Sequence, residues 1–461
     1  MALKPSDFAT HCNLGIFQSI FRKGEKMMRR LGAHTWIASV LAGLGLLFLI
    51  PATGLAQPSL LIGHPACLSG DYAEAGQQAV NGIKACVQWV NEEYGGVTID
   101  GQKYKLKYKT YDCASKKKNV PKLIQKLINQ DNADVIFAPY SSGLTLHGAP
   151  VAEKHDMLYM DHGGANNKIF EQGFEYIVQT IGPATSYHKG TLEMLKQIAP
   201  ASHNRVALAY EDSEFARMVM EGAENHAENL GFDVVFKDTY SPDVKDLTPL
   251  LQEMKKSDPD IVLGGGHFED GELFCRQLAE MDFDVKALSL IASVTLPAFY
   301  DAMAERTDLS NKAKGVIGPS HWEMGVTYSE KTAEKKGLPW IGPSQEDFVW
   351  LFKQNVGEDM DPDYHAAEAG ASVLAYVLGV EQAGSTDPEK VRSALGNLEF
   401  MSFYGGWDIN EKGMQVGHTM INVQWQDAHR PLVWHDGERA IIWPEGAQTS
   451  APVYPLPSHK E

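Results

Sequence analysis

The sequence predicts an α/β protein with two doubly wound, mainly parallel sheets, which form two lobes joined by a hinge that the chain crosses several times. The first observation is length, because 461 residues exceed what one hydrophobic core usually supports. The second is a set of short apolar runs bounded by Gly, Pro and Ser, which are typical of strands buried on both faces. The third is that strand and helix patterns alternate, stop at Gly182 and Pro183, and then start again.

The first half of the chain predicts strands separated by helices. Apolar residues recur at Val80, Ile83 and Val87, the spacing of a helix that lies on a sheet, and Gly95 and Gly96 end that helix. The predicted strands are residues 60–65, 104–111, 135–139, 157–160 and 176–181, and the predicted helices are residues 76–93, 120–130 and a crossover between 139 and 157.

The second half repeats the alternation and then changes character. The predicted helices are residues 187–198, 214–229, 247–256 and 271–281, and the predicted strands are residues 206–210, 234–237, 261–264 and 287–291. Residues 315–319 predict an extended link, followed by helices at 345–356, 366–383 and 388–398. Residues 403–443 look extended and hairpin-like, with turns at 410–413 and 427–430.

Too few strands accompany the three late helices for a third domain, so we expect the chain to return to the first lobe. The expected first lobe contains residues 58–181 and about 325–404, and the second contains residues 182–324 and about 405–443. Crossings are expected near Gly182 and near residues 315–319. Residues 444–461 form a Pro-rich tail that lies along the surface or is loose. Two lobes joined in this way would enclose a ligand between facing strand ends.

Residues 1–56 predict a signal peptide and a short preceding stretch. Lys26, Arg29 and Arg30 precede an apolar run at 36–50 that is too short to span a bilayer, and small residues precede a cut after Ala56. The alternative is an uncleaved anchor, and translation could start at Met27 or the next residue. The expected location is therefore periplasmic or otherwise extracytoplasmic. The net charge of −18 argues against nucleic acid or an anionic membrane as a partner.

Export also permits a disulfide bond. Cys67 follows the first predicted strand and Cys113 follows the second, so neighbouring strands would bring both to one sheet edge, and we expect a Cys67–Cys113 bond. Cys86 and Cys275 fall in helical patterns and are expected to be buried. No cysteine spacing matches a zinc site.

Small polar residues follow two neighbouring predicted strands, and these are the first candidates for a ligand site. Open α/β sheets bind ligands at the carboxyl ends of their strands, where backbone N–H groups stabilise a carboxylate. The alternative is that these loops are ordinary βα turns. The candidate residues are Tyr140, Ser141, Ser142, Gly163, Gly164 and Ala165.

Several segments in the same order and spacing resemble the leucine/isoleucine/valine-binding type of periplasmic substrate-binding protein. They include SGDYAEAGQQAVNGIKACVQWVNE, VIFAPYSSGLT, LYMDHGGANNKIFEQGFEYIVQT and RVALAYEDSEFARMVMEGAENHAENLGFDVV, and the likeness extends from about Leu60 to Trp434. The resemblance implies a type I periplasmic-binding fold with three hinge crossings. It also implies an ABC importer's extracytoplasmic receptor for amino acids or related amides, usually monomeric, without a cofactor, and with an inner-membrane permease as partner.

The resemblance also suggests residue roles. It implies that Ser141 or Ser142 and the turn of Gly163, Gly164 and Ala165 hold the ligand carboxylate, and that Phe215 and His267 close the pocket from the second lobe. This chain departs from the family pattern in three ways. Ala165 replaces a threonine, Asp161 and His162 replace a small residue and a proline, and residues 290–295 contain no acid to pair with a ligand ammonium.

Other residues could compensate for these departures. The acids that could take the ammonium role are Asp71, Asp161, Glu269, Asp270 and Glu323, each of which could equally be a loop acid or a helix cap. Tyr72 and Trp322 could form pocket walls or could pack in a core. The resulting hypothesis is a pocket that binds a small carboxylate, amide or amino acid between aromatic walls.

Catalytic signatures are absent from the sequence, so we expect no enzyme. It has no G-x-S-x-G elbow, no P-loop lysine and no H-E-x-x-H motif. His365 and Glu368 stand three apart on a predicted helix, and such a pair is more typical of a helix surface than of a metal site. Two alternatives stay open: a sensory protein of the same fold that signals to a membrane partner, and a secreted hydrolase that uses Asp161 and His162.

Overall fold

Residues 57–296, 299, 302–303, 313–426 and 439–458 are described by the structure, a computed structural model. The expected signal peptide and the expected turn at 427–430 lie outside these residues. Within the described ranges, no helix is both long enough and apolar enough to cross a bilayer.

The first sheet has six strands in the order β2-β3-β1-β4-β5-β6, and all except β2 run parallel. Residues on β4 alternate between two cores, with Val135 and Phe137 on one face and Ile136 on the other, so helices cover both faces. The strands are β1 Ser59–Ala66, β2 Val97–Ile99, β3 Gln102–Asp112, β4 Val135–Phe137, β5 Tyr159–Asp161 and β6 Ile177–Gln179.

The second sheet has seven strands in the order β15-β14-β11-β10-β9-β7-β8, with β14 and β15 antiparallel at one edge. Its faces also alternate, since Val206 and Leu208 of β7 enter one core and Ala207 enters the other. The strands are β7 Arg205–Glu211, β8 Asp233–Tyr240, β9 Ile261–Gly265, β10 Ala287–Leu290, β11 Ile317–Ser320, β14 Ile421–Trp425 and β15 Arg439–Trp443, and β12 Phe400–Ser402 and β13 Gly405–Trp407 form a separate hairpin.

The helices are α1 Ala73–Glu92, α2 Val120–Asn129, α3 Ser142–Lys154, α4 Lys189–Ile198, α5 Glu214–Asn229, α6 Thr248–Lys256, α7 Phe268–Glu280, α8 Glu330–Lys336, α9 Gln345–Val356, α10 Tyr364–Ala383 and α11 Pro388–Leu395. We call the first sheet with α1–α3, the β12–β13 hairpin and α8–α11 the first lobe, and the second sheet with α4–α7 the second lobe. The late helices do cover the first sheet, and α10 packs along α1. The predicted fold class, two doubly wound sheets joined by several crossings, is confirmed.

The chain passes between the two sheets three times, at residues 180–188, 321–329 and 408–420. The sequence placed the second passage near 315–319, and in the structure the passage follows directly after that segment. Ile317–Ser320 is a strand of the second sheet, paired with β10 on one side and β14 on the other. The extended pattern was correct, but its pairing depends on β14, about one hundred residues further along the chain.

The tail after Pro444 follows the second lobe as far as the structure describes it. The Tyr454 hydroxyl lies 2.7 Å from His203 Nδ1, and Leu456 N donates to the carbonyl of Lys286 at 2.8 Å. Of the two expectations for this segment, the structure supports the one in which it lies along the surface.

Candidate functional site

Both parallel sheets share one strand order, 2-1-3-4-5, and therefore each has a switch point where neighbouring loops diverge. In the first sheet the switch lies between β1 and β4, and in the second it lies between β7 and β9. Ligands of open α/β sheets bind at such points. The loops after these four strands carry Tyr72, Tyr140, Phe215 and His267, so the fold supplies one aromatic ring from each loop or the helix start that follows it.

These four residues, which we call the aromatic cluster, meet between the lobes. The Tyr72 ring lies 4.9 Å from His267 and 5.7 Å from Tyr140, measured between centroids. The Phe215 ring lies 5.8 Å from His267. Four sequence candidates from both lobes are thus brought together, and their geometry suits stacking and edge contacts with a planar or apolar group.

His267 is the member of this cluster that pairs with an acid. It caps α7 at the N-terminus, and its Nδ1 lies 2.8 Å from Glu211 Oε1, at the end of β7. Burial lowers the pKa of His267, but the hydrogen bond and the charge of Glu211 outweigh it and raise the pKa above its usual value. The Nε2 atom is buried without a hydrogen-bond partner among the described residues. The pair with Glu211 therefore leaves Nε2 of His267 available for a polar group of a ligand.

The two predicted turns lie side by side, because the hydroxyl of Ser142 accepts from Asn166 N at 3.1 Å. Asp161 Oδ1 accepts from Gly164 N at 2.6 Å and from Gly163 N at 3.2 Å. In this structure the chain's own carboxyl group accepts from the two amides that the sequence analysis assigned to a ligand carboxylate.

The remaining residues of these turns have different surroundings. Ser141 contributes a hydroxyl beside the Tyr72 phenol, whose pKa burial raises to about 12 against the opposing effect of that hydroxyl. Ala165 is buried at the first passage between the lobes, and its carbonyl accepts from Ala184 N at 2.7 Å. Ser141 therefore stays beside the aromatic cluster, whereas Ala165 supports the passage.

Contacts across the lobes converge on Glu214, the first residue of α5. Lys117 Nζ of the first lobe lies 2.5 Å from Glu214 Oε1. The side-chain amide of Asn166, also in the first lobe, donates to the backbone carbonyl of Glu214. The structure therefore represents a conformation in which the lobes are in contact beside the aromatic cluster.

Trp322 does not lie at this site. It is 1% exposed, its ring packs 5.9 Å from Phe348, and its indole N–H donates to the carbonyl of Phe403 at 3.0 Å. The prediction of a pocket wall was wrong, and the alternative of core packing is correct. The residue lies just after a strand of the second sheet, but the chain has already entered the first lobe there.

Three of the five acids considered for the ammonium role are engaged elsewhere. Asp71 is 3.7 Å from Lys116, Glu269 is 2.8 Å from Lys245, and Glu323 forms a buried pair with Arg439. Asp161 and Asp270 remain close to the interlobe region. Asp270 accepts from the Tyr240 hydroxyl at 2.6 Å, and burial raises the pKa of Asp270 to about 6.

The N-terminus of α10 adds an acid that the sequence analysis assigned to the helix surface. Asp363 caps α10 and accepts from His365 N at 2.9 Å, and the His365 ring lies 4.9 Å from Tyr140. Glu368 follows one turn later and is fully buried, with both carboxyl oxygens lacking a hydrogen-bond partner among the described residues. Burial, with smaller effects from Asp363 and Asp161, raises the pKa of Glu368 well above its usual value. The expectation of a surface pair was therefore wrong.

Aromatic and imidazole rings from all three passages meet near the N-terminus of α10, where the His321 ring lies 5.5 Å from Tyr364. The ring of His321 lies 5.1 Å from Tyr187 and 5.4 Å from His418, and His418 stacks on Tyr404 at 4.3 Å. Burial lowers the pKa of His418 to about 4 and moves the pKa of His321 further below its usual value. These imidazoles are neutral at pH 7. No local sequence pattern singles them out, because they come together only through the three passages.

Cys67 and Cys113 lie beneath the turn of Tyr140. Their sulfur atoms are 3.2 Å apart, and Cys67 Sγ donates to the carbonyl of Tyr140 at 2.8 Å. Both are free thiols in the structure, so the expected proximity is present and the expected bond is not formed.

Asp161 and His162, the residues of the hydrolase alternative, do not form a hydrogen-bonded catalytic pair in the structure. Asp161 holds the glycine amides, whereas Nε2 of its neighbour His162 faces His64 Nε2 at 3.4 Å. Neither side chain orients the other. Among the described residues, no group of three or more His, Cys, Asp or Glu side chains could hold a metal ion.

One surface groove is lined by none of the four residues of the aromatic cluster. It has a volume of about 450 Å³ and is lined mainly by side chains of α7. Its charged residues already pair with one another, as in Lys245–Glu269 and Arg276–Glu272. The interlobe region, with several buried polar atoms lacking a partner, is the better candidate for a ligand site.

Comparison with known proteins agrees with this fold. A profile described as periplasmic binding protein matches residues 59–430. The Leu/Ile/Val-binding protein homolog 7 of Brucella abortus (strain 2308) is 23% identical over 384 residues, covering 81% of this chain and 90% of the relative.

Two solved structures share the fold. A branched-chain amino acid transporter substrate binding protein from Streptococcus pneumoniae, in complex with isoleucine, gives a TM-score of 0.66 at 17% identity, over 80% of this chain and 97% of that one. An ABC transporter solute binding protein from R. palustris, in complex with benzoate, gives a TM-score of 0.65 at 16% identity. The match covers 85% of this chain and 98% of that chain.

The fold and the interlobe site therefore define a two-lobed solute-binding protein. The chain belongs to the periplasmic binding protein family, and its similarity to Leu/Ile/Val-binding protein homologues supports the type I class.

Proposed function

We propose that the protein is the extracytoplasmic receptor of an ABC importer and captures a small amino acid, amide or carboxylate between its lobes by hinge closure. The observation that carries this proposal is the aromatic cluster, in which each lobe supplies two rings from the switch point of its sheet. A site divided between two lobes binds its ligand fully only when the lobes approach each other, so binding and closure are coupled.

The family supports the location and the partner. We propose export by the N-terminal signal peptide, action as a monomer, and an inner-membrane permease as the membrane partner. We also propose that the lobes move as bodies with the boundaries expected above, 58–181 with about 325–404, and 182–324 with about 405–443. The first relatives and neighbours are binding proteins, which supports a function without catalysis.

Titration calorimetry tests ligand capture directly. The panel contains leucine, phenylalanine, benzoate and short amides, and at least one should bind the chain of residues 57–461 with saturable heat. Replacing Tyr140 by Ala should weaken that binding by at least about tenfold, because an aromatic residue in a desolvated contact often dominates affinity. Trp350→Ala is the matched control, since Trp350 is an aromatic residue that is 55% exposed.

Two results would contradict the proposal. One is the absence of saturable binding across the whole panel, and the other is equal affinity of wild type and Tyr140→Ala for every ligand that binds. Small-angle X-ray scattering with and without ligand should show a decrease in radius of gyration on binding, because closure brings the lobes together.

A second candidate is a sensory protein of the same fold, which the sequence analysis left open. Reconstitution with the transporter encoded by neighbouring genes separates the two: a receptor stimulates the ATPase and delivers labelled ligand into vesicles, whereas a sensor does neither.

A further inference from the structure

The surface formed by β3 and the start of α2 is strongly basic, although the protein as a whole is acidic. The chain carries a net charge of −18, whereas residues 103–126 contain nine lysines, no arginine and one acid, Asp112. The overall negative charge already favours solubility, so these lysines are not needed for it. They are Lys103, Lys105, Lys107, Lys109, Lys116, Lys117, Lys118, Lys122 and Lys126.

Two neighbouring rows of these lysines form what we call the basic surface. The first row occupies alternate positions of β3, so its side chains leave the sheet on one face. The second row repeats every four residues along α2 and the single helical turn before it, and so follows one side of that segment. The rows consist of Lys107 and Lys109 on β3, and of Lys118, Lys122 and Lys126 at α2. The rows meet at the ring of Tyr111, whose centre lies 5.5 Å from Lys109 Nζ and 3.8 Å from Lys126 Nζ.

Three lysines of the basic surface are available to a partner. Lys107, Lys118 and Lys122 are exposed, and none of them takes part in an ion pair between described residues. The acids at the ends of β3 and α2 do not neutralise them. Asp112 accepts hydrogen bonds from three backbone N–H groups around it, and Asp131 binds a lysine and a tyrosine hydroxyl. The exposed positive charge is therefore not cancelled by the acids beside it.

The placement of these lysines works against the helix that carries them. Lys117 and Lys118 lie at the N-terminal end of the helical segment, where the aligned peptide dipoles already give a partial positive charge. The first turn of α2 contains no acid to offset this charge. Lysines four residues apart on one helix also repel each other. Because the charges do not stabilise the helix, they point to a use outside the fold.

The use of lysine without arginine favours a lipid surface over a protein as the partner. Protein interfaces are enriched in arginine and depleted of lysine, since a guanidinium group forms two fixed bonds with a carboxylate. Lysine is a flexible point charge, and clusters of lysine are attracted to anionic lipids without a fixed geometry. The net charge of −18 is unfavourable for such binding. However, salt screens charges that lie more than about 8 Å from the bilayer, so the lysines nearest to it decide the outcome.

We infer that the basic surface docks the protein on an anionic phospholipid bilayer, with Lys107, Lys118 and Lys122 next to the lipid phosphates. This inference goes beyond the proposed receptor function and does not depend on which ligand is captured. Lys117 precedes Lys118 in the chain and pairs with Glu214 of the second lobe. Docking by this surface therefore brings one contact between the lobes close to the bilayer, where the proposed permease lies.

Sedimentation with lipid vesicles tests the inference. The chain of residues 57–461 should bind vesicles made of equal parts phosphatidylglycerol and phosphatidylcholine, and it should not bind vesicles of phosphatidylcholine alone. Binding should weaken as sodium chloride is added, because salt screens the lysines from the lipid. Sodium phosphate at the same ionic strength should weaken it equally, since the partner is a charged surface and not a single phosphate group.

A triple variant tests whether the basic surface makes the contact. Lys107→Gln, Lys118→Gln and Lys122→Gln combined should weaken binding to the anionic vesicles by at least about tenfold, because each lysine near an anionic surface adds to the attraction. Thermal melting without lipid reports whether the variant folds. The comparison of the two vesicle compositions with wild type tests the inference even if it does not.

The matched control removes three positive charges from another surface of the same lobe. It combines Lys331→Gln, Lys335→Gln and Lys336→Gln, all at exposed positions of α8. Both triple variants change the net charge of the protein by the same amount, so they differ only in where the charge is lost. The control should bind the anionic vesicles as wild type does.

Several outcomes would overturn the inference. One is that wild type does not bind anionic vesicles at low salt, or binds phosphatidylcholine vesicles equally well. Another is that both triple variants lose binding to the same extent, which would assign the effect to overall charge. Release by phosphate at a much lower ionic strength than by chloride would show a discrete anion site instead of a docking surface. These results leave ligand capture untouched, because calorimetry measures it without lipid.

Discussion

Asp161 is a carboxylic acid enclosed in the first lobe, where it holds the turn of Gly163 and Gly164. Burial raises the pKa of Asp161 to about 8, although the glycine amides oppose the effect. The folded protein therefore binds a proton that the unfolded chain loses near pH 4, and the free energy of unfolding falls as pH rises from about 4 to 8.

Asp161→Asn keeps an oxygen for the amides and removes this titration. The variant should be more stable than wild type at pH 8 by about 1 kcal/mol or more, with a smaller difference at pH 5, because only the ionised acid is penalised. Urea unfolding of both proteins at pH 5 and at pH 8 measures this difference in the free energy of unfolding. Asp243→Asn, at an exposed site, is the control for the loss of one negative charge. If Asp161→Asn were destabilised equally at both pH values, the Asp161 carboxyl group would be needed for the fold.

The thiols of Cys67 and Cys113 are a second residue-scale feature. Their contact at 3.2 Å means that an oxidising compartment would join them without rearranging β1 or β3. Exported chain of residues 57–461, denatured without reductant, should show two reactive thiols, those of Cys86 and Cys275. Four reactive thiols would show that the pair stays reduced. Cys113→Ser is the control, which leaves three.

The sequence predicted the position of some side chains correctly and that of others incorrectly. Tyr72, Tyr140, Phe215 and His267 were found because they follow strands, and the switch-point rule places such residues together. Trp322 and Glu368 were misassigned for the opposite reason. Trp322 enters the other lobe directly after its strand, and Glu368 lies on a helix whose neighbours on every side come from distant parts of the chain.

At the level of elements, the packing of α1 against α10 fixes where Glu368 lies. Gly82 of α1 contacts the backbone of Ala366 so closely that a Cβ atom would lie 1.9 Å from its carbonyl oxygen. The contact joins two backbones, neither of which can move as a flexible side chain can. The two helices approach each other at this glycine and position the first turn of α10.

Gly82→Ala should therefore lower the free energy of unfolding by roughly 1–3 kcal/mol, in spite of the higher helix propensity of alanine, because the added carbon forces the helices apart. Chemical denaturation measures the change. Gly396→Ala provides the comparison, since the atom nearest to a Cβ there is the end of the flexible Arg392 side chain at 3.3 Å, and the two backbone oxygens near it lie at 3.6 and 3.7 Å. If both variants were equally stable, the helix contact would be looser than the structure indicates.

Most elements were predictable because their hydrophobic periods are local. Helices 214–229 and 345–356 were predicted with the bounds that the structure has. The strand β11 was predicted only as a link, since four residues with a proline do not reveal their partners. The edge strand β2 and the short helix α8 were missed, because three and seven residues carry too little periodic signal.

The whole molecule should be sensitive to acid. Burial lowers the pKa of His64 and His188 to about 3 and of His418 to about 4, and those of His162 and His321 also fall well below the usual value. The unfolded chain takes up these protons near pH 6.5, so stability is present above that pH and is lost as pH falls. Each histidine contributes about 1.4 kcal/mol per pH unit within its window.

The raised pKa values of the buried acids Asp161 and Glu368 act in the opposite direction, but the five histidines outnumber these two acids. The melting temperature should therefore fall between pH 6.5 and about pH 4.5, which differential scanning calorimetry across that range measures. His418→Gln should reduce the steepness, because one titrating group is removed. His147→Gln, at an exposed site, should leave it unchanged. A His418→Gln variant whose melting temperature depends on pH as strongly as that of wild type would mean that the His418 imidazole is already protonated in the folded protein.

Alternating patterns and a change at Gly182 were enough to predict two sheets and a chain that returns to the first. They could not show which conformation the lobes adopt, because that depends on contacts such as Lys117–Glu214 between residues 97 positions apart. For the same reason the sequence could not predict that the rings of the three passages lie together, because they come from distant parts of the chain.

The contacts that converge on Glu214 join the two lobes, and they involve residues outside the aromatic cluster. Lys117 and Asn166 attach the first lobe to the first turn of α5, next to Phe215 of the aromatic cluster. For the proposed receptor, a membrane partner that separated Glu214 from Lys117 would let the lobes open and would shorten the residence time of the ligand. The proposed membrane partner could then cause release of the ligand without binding the ligand itself.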